Sequence, residues 1–336
     1  MAELLYQTYM KFRPIPLPPP NTFAGQTAVV TGGTSGLGLA TAVHLLRLGA
    51  AEVIISARDA ARGRDAAAQI TSEASRDEGG NDHGIGNKQP LGRVTILELD
   101  MSRYDSVIAF AKKVREIKIG KGGVDVVVLN AGMIGTVYEQ GPEGCLPAHL
   151  TLVGSMRHTD PDIDRWHAWA GQEGGGGVLE HLNRPENFGT GQDRYASTKL
   201  LLQYAFLELV KLARNDNESP QVIMNTVCPG VVKTSLARDY QARGGFGMRL
   251  VVGAFQGLFG KSASDGARSY LAAVTTKESQ HGDFIQFYKR EKEYDQMRKK
   301  VISSAAGQKM QTQVWGELCH ELGAKVPEFK DVLLTG

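Results

Sequence analysis

Tyr195 and Lys199 stand four residues apart in the run Arg194-Tyr-Ala-Ser-Thr-Lys-Leu, at the start of a helical pattern that continues through Leu209. On a helix, positions i and i+4 share a face, so the phenol and the ammonium become neighbours. A lysine charge beside a phenol favours the phenolate and lowers the tyrosine pKa from its reference of about 10 toward neutrality. A tyrosine tuned in this way can give a proton to a carbonyl oxygen as hydride reaches the carbon, or accept one in the reverse direction. Alone the pair is weak, because Tyr-x-x-x-Lys arises by chance in many helices.

The second chemical feature lies upstream, in Thr27-Ala-Val-Val-Thr-Gly-Gly-Thr-Ser-Gly-Leu-Gly38. An apolar run (Ala28, Val29, Val30) enters a turn with glycines at Gly32, Gly36 and Gly38, and a helical pattern from Leu39 to Leu48 leaves it. Strand, glycine turn and helix in that order make a phosphate-binding crossover, in which backbone approaches a pyrophosphate and the free N–H groups of the new helix face the anion. A flexible turn is the plain alternative, and the flanking strand and helix argue against it.

The elements that must hold these residues alternate along the chain. Apolar runs at 52–57, 94–99, 124–129, 149–153, 221–227 and 283–287 read as strands, with helical stretches at 60–70 and 104–117 between them and Ser102 placed as an N-cap of the latter. Such alternation predicts an α/β fold, a doubly wound parallel sheet in a single domain. The segment 72–92 is polar and glycine-rich, a loop longer than the usual connection. The domain is expected to span 25–290, preceded by a proline-rich arm (1–24) with Pro14, Pro16, Pro18, Pro19 and Pro20, and followed by a C-terminal extension (291–336).

A net charge of +2 gives no field to steer nucleic acid or anionic lipid, so nucleic acid is not an expected partner. Cys145, Cys228 and Cys319 are odd in number and far apart, which predicts reduced thiols, and no zinc spacing is present. Met1–Met10 has no apolar signal region and no window reaches the length of a membrane span, so a soluble cytoplasmic protein without a resident metal is expected.

Taken together, Thr31-Gly-Gly-Thr-Ser-Gly-Leu-Gly38, Asn130-Ala-Gly, Ser155 after the fifth strand, Tyr195-x-x-x-Lys199 and Pro229-Gly-Val-Val-Lys-Thr234 resemble the short-chain dehydrogenase/reductase family over roughly residues 25 to 290. The resemblance implies a Rossmann-like domain. It gives the catalytic set as Ser155, orienting the substrate carbonyl, Tyr195 as proton donor, and Lys199, which would tune Tyr195 and hold the nicotinamide ribose. It also implies cofactor contacts from Gly32, Thr34, Ser35, Gly36, Leu37 and Gly38 in the glycine turn, from Asn130 as part of the floor, from Asp100 toward the adenine, and from Val232 and Thr234 on the nicotinamide side.

Cofactor choice is read at the end of the second strand, Ile55-Ser56-Ala57-Arg58. NAD-binding relatives carry an acidic residue there for the ribose hydroxyls, whereas the Arg58 guanidinium suits a 2′-phosphate through bidentate charge-assisted bonds. NADPH is the expected cofactor. The plain alternative is that Arg58 only ends the strand and pairs with Asp59.

One stretch departs from the family. Only 25 positions separate Asn130 from Ser155, and Met133–Pro147 is broken by Gly135, Gly141, Pro142, Gly144 and Pro147, too many helix breakers for the fourth crossover helix. A deletion near Gly144 and Cys145 is expected, removing the helix that carries a further catalytic asparagine and part of the dimer interface in relatives. The oligomeric state therefore does not carry over, an apolar sheet face is left without its cover, and reduced turnover with cofactor binding partly retained is the expectation.

The insert 156–193, with Trp166, Trp169 and Gly174–Gly177, reads as a mobile flap over the pocket or a disordered excursion, and His158, His167 and His181 as solvated histidines. Residues 235–261 would form the substrate lid, with Phe246, Met248, Leu250, Val251, Phe255, Leu258 and Phe259 as its apolar lining, and the charged run 289–300 a solvated helix. The reading is an NADPH-dependent reductase or alcohol dehydrogenase for a hydrophobic small molecule, with a weak resemblance to members of fungal secondary metabolism or with retinoid-like substrates. Two alternatives stand beside it: a catalytically impaired NADP-binding protein that binds a partner, and a gene product lacking one exon.

Overall fold

The computed structural model describes residues 12, 14–76, 91–118, 124–131, 149–171, 176–214, 220, 222–233, 253–287, 289 and 291–326. Its centre is a parallel sheet of β1 (Thr27–Val30), β2 (Glu52–Ala57), β3 (Arg93–Glu98), β4 (Val126–Leu129), β5 (His149–Val153), β6 (Ile223–Val227) and β7 (Phe284–Ile285). The strand order is β3-β2-β1-β4-β5-β6-β7, so the order reverses between β1 and β4. In open sheets of this type the ligand crevice forms outside the carboxyl ends of the strands at that reversal.

Burial explains the apolar runs. Every residue of β2 is buried, as expected for a parallel strand covered on both faces. Val30, Ile55 and Val128 point to one face and pack with α1 (Gly36–Arg47), α2 (Ala60–Ala74) and α7 (Ala263–Ala273). Val29, Ile54, Val127 and Leu150 point to the other and pack with α3 (Tyr104–Lys118) and α6 (Gly191–Leu212). The predicted doubly wound sheet is thus observed, with strand ends within two residues of expectation. Asp59 caps α2 by accepting from the amides of Ala61 and Arg62, and Thr190 caps α6 through the Asp193 amide. Ser102 does not serve as the expected cap of α3, since its hydroxyl and amide both donate to Asp100 Oδ1.

The insert 156–193 is neither a flap nor a disordered excursion in its described parts. It contains a 3₁₀ turn at Met156–Thr159, α4 (Ile163–Ala170) and α5 (Gly177–Asn183). Trp166 is 2% exposed and packs edge-on to Tyr204 of α6. Trp169 stacks on Trp166 and on His181. The C-terminal chain completes this layer: α8 (Glu291–Arg298), a π-helical turn at Lys299–Ser303 and α9 (Ala305–Lys325) bring Val301, Met310 and Val314 against Ile163, Val178 and Leu200. A large apolar indole had to find cover, and the second amphipathic segment that provides it lies over a hundred residues away, beyond the reach of local pattern. The charged run 289–300 is likewise more than a solvated helix, because Tyr294 within it is buried.

The described part of the N-terminal arm lies on the domain. Ile15 and Phe23 are buried, and Arg268 of α7 donates to the Ile15 carbonyl at 3.1 Å. The shortened crossover at 133–147, most of the lid and Cys145 lie outside the described residues. No helix among the described residues is long and apolar enough to cross a membrane.

Candidate active site

The glycine turn is tied down from three sides. Gly32 and Gly36 have φ of +66° and +56°, a region costly for residues with a Cβ. The Gly32 amide donates to Ser56 Oγ of β2 at 2.9 Å. Thr31 Oγ1 accepts from the amides of Asn130 and Ala131, both at 3.0 Å, which joins the first turn to the end of β4. Asn130 Nδ2 donates to the Thr31 carbonyl at 2.9 Å, and its Oδ1 accepts from the Tyr270 hydroxyl at 3.0 Å. Tyr270 is therefore a support of this turn that the sequence did not announce: a fully buried tyrosine inside a helix has no local signature.

At Gly38 a Cβ would lie 2.4 Å from the Gly32 carbonyl oxygen and 2.6 Å from Asn130 Nδ2, so only glycine fits. Ser35 precedes α1 in extended backbone and makes no side-chain cap. The first-turn amides of α1 are thus left to an anion, and the donor set fits a dinucleotide pyrophosphate. Thr34, Ser35 and Leu37 are partly exposed or exposed on this rim, and Val232 is buried against Gly266 of α7.

Arg58 is exposed at the end of β2, and no carboxylate among the described residues pairs with it. Asp59 is occupied in capping α2, so the alternative pairing of the two is not observed. Asp100 sits close enough for Arg58 to favour its ionised form, but the hydrogen bonds from Ser102 contribute most to holding its carboxyl below the usual range.

On the opposite wall, Ser155 follows β5 in extended backbone and is buried. Tyr195 and Lys199 project from α6 toward it, as the i, i+4 spacing predicts. Lys199 Nζ donates to the Val153 carbonyl at 2.6 Å and lies 5.6 Å from the centroid of the Tyr195 ring. Burial lowers the Lys199 pKa to about 8. Tyr195 departs from expectation: burial pushes its pKa up, and the Ser155 side chain, acting as a hydrogen-bonding neighbour, pulls it only partly back. The lysine charge does not dominate, because its ammonium is spent on a backbone carbonyl and is itself disfavoured by desolvation. Cys228 is buried beside Lys199, and its thiol is held up by the same desolvation. Thr234 lies outside the described residues.

The structure thus brings Ser155, Tyr195 and Lys199 together on one wall and the glycine turn, Ser56 and Asn130 on the other. The short chain dehydrogenase family model matches residues 26–143 of the sequence. A short-chain dehydrogenase/reductase, ffsI, of Aspergillus flavipes is 28% identical over 351 residues, covering 95% of this chain and 92% of its own. The short chain dehydrogenase yanD of Aspergillus niger is 29% identical over 350 residues, covering 94% of this chain and 97% of its own. Along nearly its whole length the chain is similar to short-chain dehydrogenases/reductases, at identities just below 30%. Among solved structures, the Pseudomonas aeruginosa RhlG/NADP active-site complex matches this fold with a TM-score of 0.52 at 19% identity, over 80% of this chain and 97% of that one. The alignment with ffsI is longer than the 336 residues of this chain, so that member of the family carries segments with no counterpart here.

His158 departs furthest from its sequence reading. Expected as solvated, it is 1% exposed and packs edge-on against both Phe284 and Tyr294. His167 and His181 are partly buried, His167 Nε2 near the Ala306 carbonyl and His181 on the Trp169 ring. Of the lid residues, Phe255 and Leu258 are described and exposed.

Proposed function

We propose that this protein is an NADPH-dependent oxidoreductase that interconverts a carbonyl and an alcohol on a hydrophobic small molecule in the cytoplasm. The observation that supports it best is the convergence of Ser155, Tyr195 and Lys199 at the carboxyl end of β5, across the crevice from an uncapped glycine-turn helix. A nicotinamide dinucleotide held there supplies or takes up hydride. The glycine turn and the first-turn amides of α1 would hold its pyrophosphate, Asn130 and Val232 its nicotinamide end, Asp100 its adenine side, and Arg58 a 2′-phosphate.

The chain's own residues then have distinct tasks. Ser155 orients the substrate oxygen. Burial keeps the Tyr195 phenol protonated, which suits it to give a proton to a carbonyl oxygen. Lys199, ammonium at neutral pH, supplies positive charge that stabilises the tyrosinate left behind. The short link between Asn130 and Ser155 supports slow turnover, because the relay asparagine of the family has no counterpart in the sequence.

The test is titration of the purified chain with NADPH, followed by NADPH oxidation across a panel of hydrophobic ketones and aldehydes. Binding with slow, substrate-dependent oxidation supports the proposal. Binding without oxidation of any member favours the impaired nucleotide-binding reading. No binding refutes both.

A further inference from the structure

His158 lies three residues beyond Ser155, and its Nδ1 is 2.7 Å from the Ser155 carbonyl oxygen. A carbonyl only accepts, so Nδ1 carries the proton. In the neutral ring Nε2 is then a bare acceptor, and the Tyr294 hydroxyl, 3.3 Å away, donates to it. Burial pushes the His158 pKa down to about 4, so the ring stays neutral and the direction of both bonds is fixed near neutral pH.

The surroundings make this a built contact. The imidazole meets the Phe284 ring edge-on at 4.7 Å, and Tyr294 stacks on the same ring at 5.0 Å. Gly154, just before the serine, is pressed so near Phe284 that a Cβ would lie 3.2 Å from its Cε2. Tyr294 belongs to α8 of the C-terminal extension, and the chain that follows grips α6 through the Tyr204 hydroxyl on the Val301 carbonyl at 2.5 Å. One C-terminal segment therefore touches both halves of the catalytic wall, the Ser155 turn through His158 and the Tyr195 helix through Tyr204.

We propose that His158 and Tyr294 are positioning residues: the C-terminal extension holds the Ser155 turn in register with Tyr195 through a chain from the Tyr294 hydroxyl to the His158 imidazole to the Ser155 carbonyl. The inference rests on the catalytic role proposed for Ser155. A side chain that merely fills space here would need neither the fixed tautomer nor the tyrosine hydroxyl.

Three variants of the full chain separate the terms. His158→Asn keeps a donor near the Nδ1 position, His158→Phe keeps a ring without either bond, and Tyr294→Phe removes the hydroxyl alone. With NADPH and the best carbonyl of the panel, His158→Phe is expected to lower kcat about tenfold or more with NADPH affinity within about twofold, His158→Asn to recover most of that loss, and Tyr294→Phe to cost about threefold. Equal kcat in all three, equal losses in the Asn and Phe variants, or a parallel loss of NADPH affinity would overturn the proposal. Nitrogen-15 NMR of the imidazoles reads the tether without turnover: the Nδ1–H tautomer for His158 near neutral pH, with an Nε2 shift that moves in Tyr294→Phe, supports it. An Nε2–H tautomer refutes it. A chain that turns over no carbonyl yet shows the Nδ1–H signature loses the oxidoreductase reading and keeps the tether.

Discussion

The Lys199 ammonium donates to the Val153 carbonyl at 2.6 Å, inside the wall that carries Ser155 and Tyr195. Its pKa, lowered by burial to about 8, makes its charge sensitive to mild alkali. Below pH 8 the ammonium is present and would attract an anionic cofactor under the proposed function. As pH rises through 8 the charge is lost while the free amino acid would still be protonated. NADPH affinity, followed by fluorescence titration, is therefore expected to fall above about pH 8 in the wild type, and the fall to be absent in Lys199→Met. Cys228 faces the same ammonium, so Cys228→Ser serves as the control for thiolate formation.

His158 gives a second pH signature, in stability. Its folded pKa of about 4 lies below the unfolded value of 6.5, so the unfolded chain binds more protons between those limits. Stability from this group is complete above pH 6.5 and declines as pH falls toward 4. Urea unfolding at pH 5 against pH 7 is expected to show a loss on the order of 2 kcal/mol that His158→Asn removes.

Two glycines of the turn should fail in different ways. Gly38→Ala drives a methyl into backbone and Asn130, and is expected to weaken NADPH binding at least about tenfold. Gly33→Ala meets the side chain of Ile55 in the core at 2.6 Å, and is expected to cost about 1–3 kcal/mol of stability with a smaller effect on the cofactor. Thermal melts and titrations of the two proteins distinguish these outcomes.

Arg58 has the plainest prediction. Under the proposed pairing of Arg58 with the 2′-phosphate, Arg58→Ala should reduce NADPH affinity by roughly tenfold or more and leave NADH affinity unchanged. Equal affinity of variant and wild type for NADPH would return Arg58 to a strand-end role.

How much of this was legible in the chain depended on range. β2 could be read because a fully covered parallel strand is a continuous apolar run, and Tyr195 with Lys199 because helical spacing puts them on one wall. What escaped depends on partners distant in sequence: Trp166 needs α6 and α9 for its cover, Tyr270 reaches Asn130 across 140 positions, and His158 finds Tyr294 across 136. The Tyr195 pKa was misjudged for a related reason. Spacing gives proximity to Lys199, but burial and the carbonyl of Val153, which decide where that charge acts, come only with the tertiary fold.

The proposed function turns on the Tyr195 phenol as the group that delivers the proton. It is tested most directly by single-turnover oxidation of bound NADPH by the best carbonyl of the panel, in wild type and in Tyr195→Phe. A loss of about a hundredfold or more in rate, at unchanged NADPH affinity, is the predicted result. A Tyr195→Phe protein that oxidises bound NADPH as fast as the wild type would contradict it.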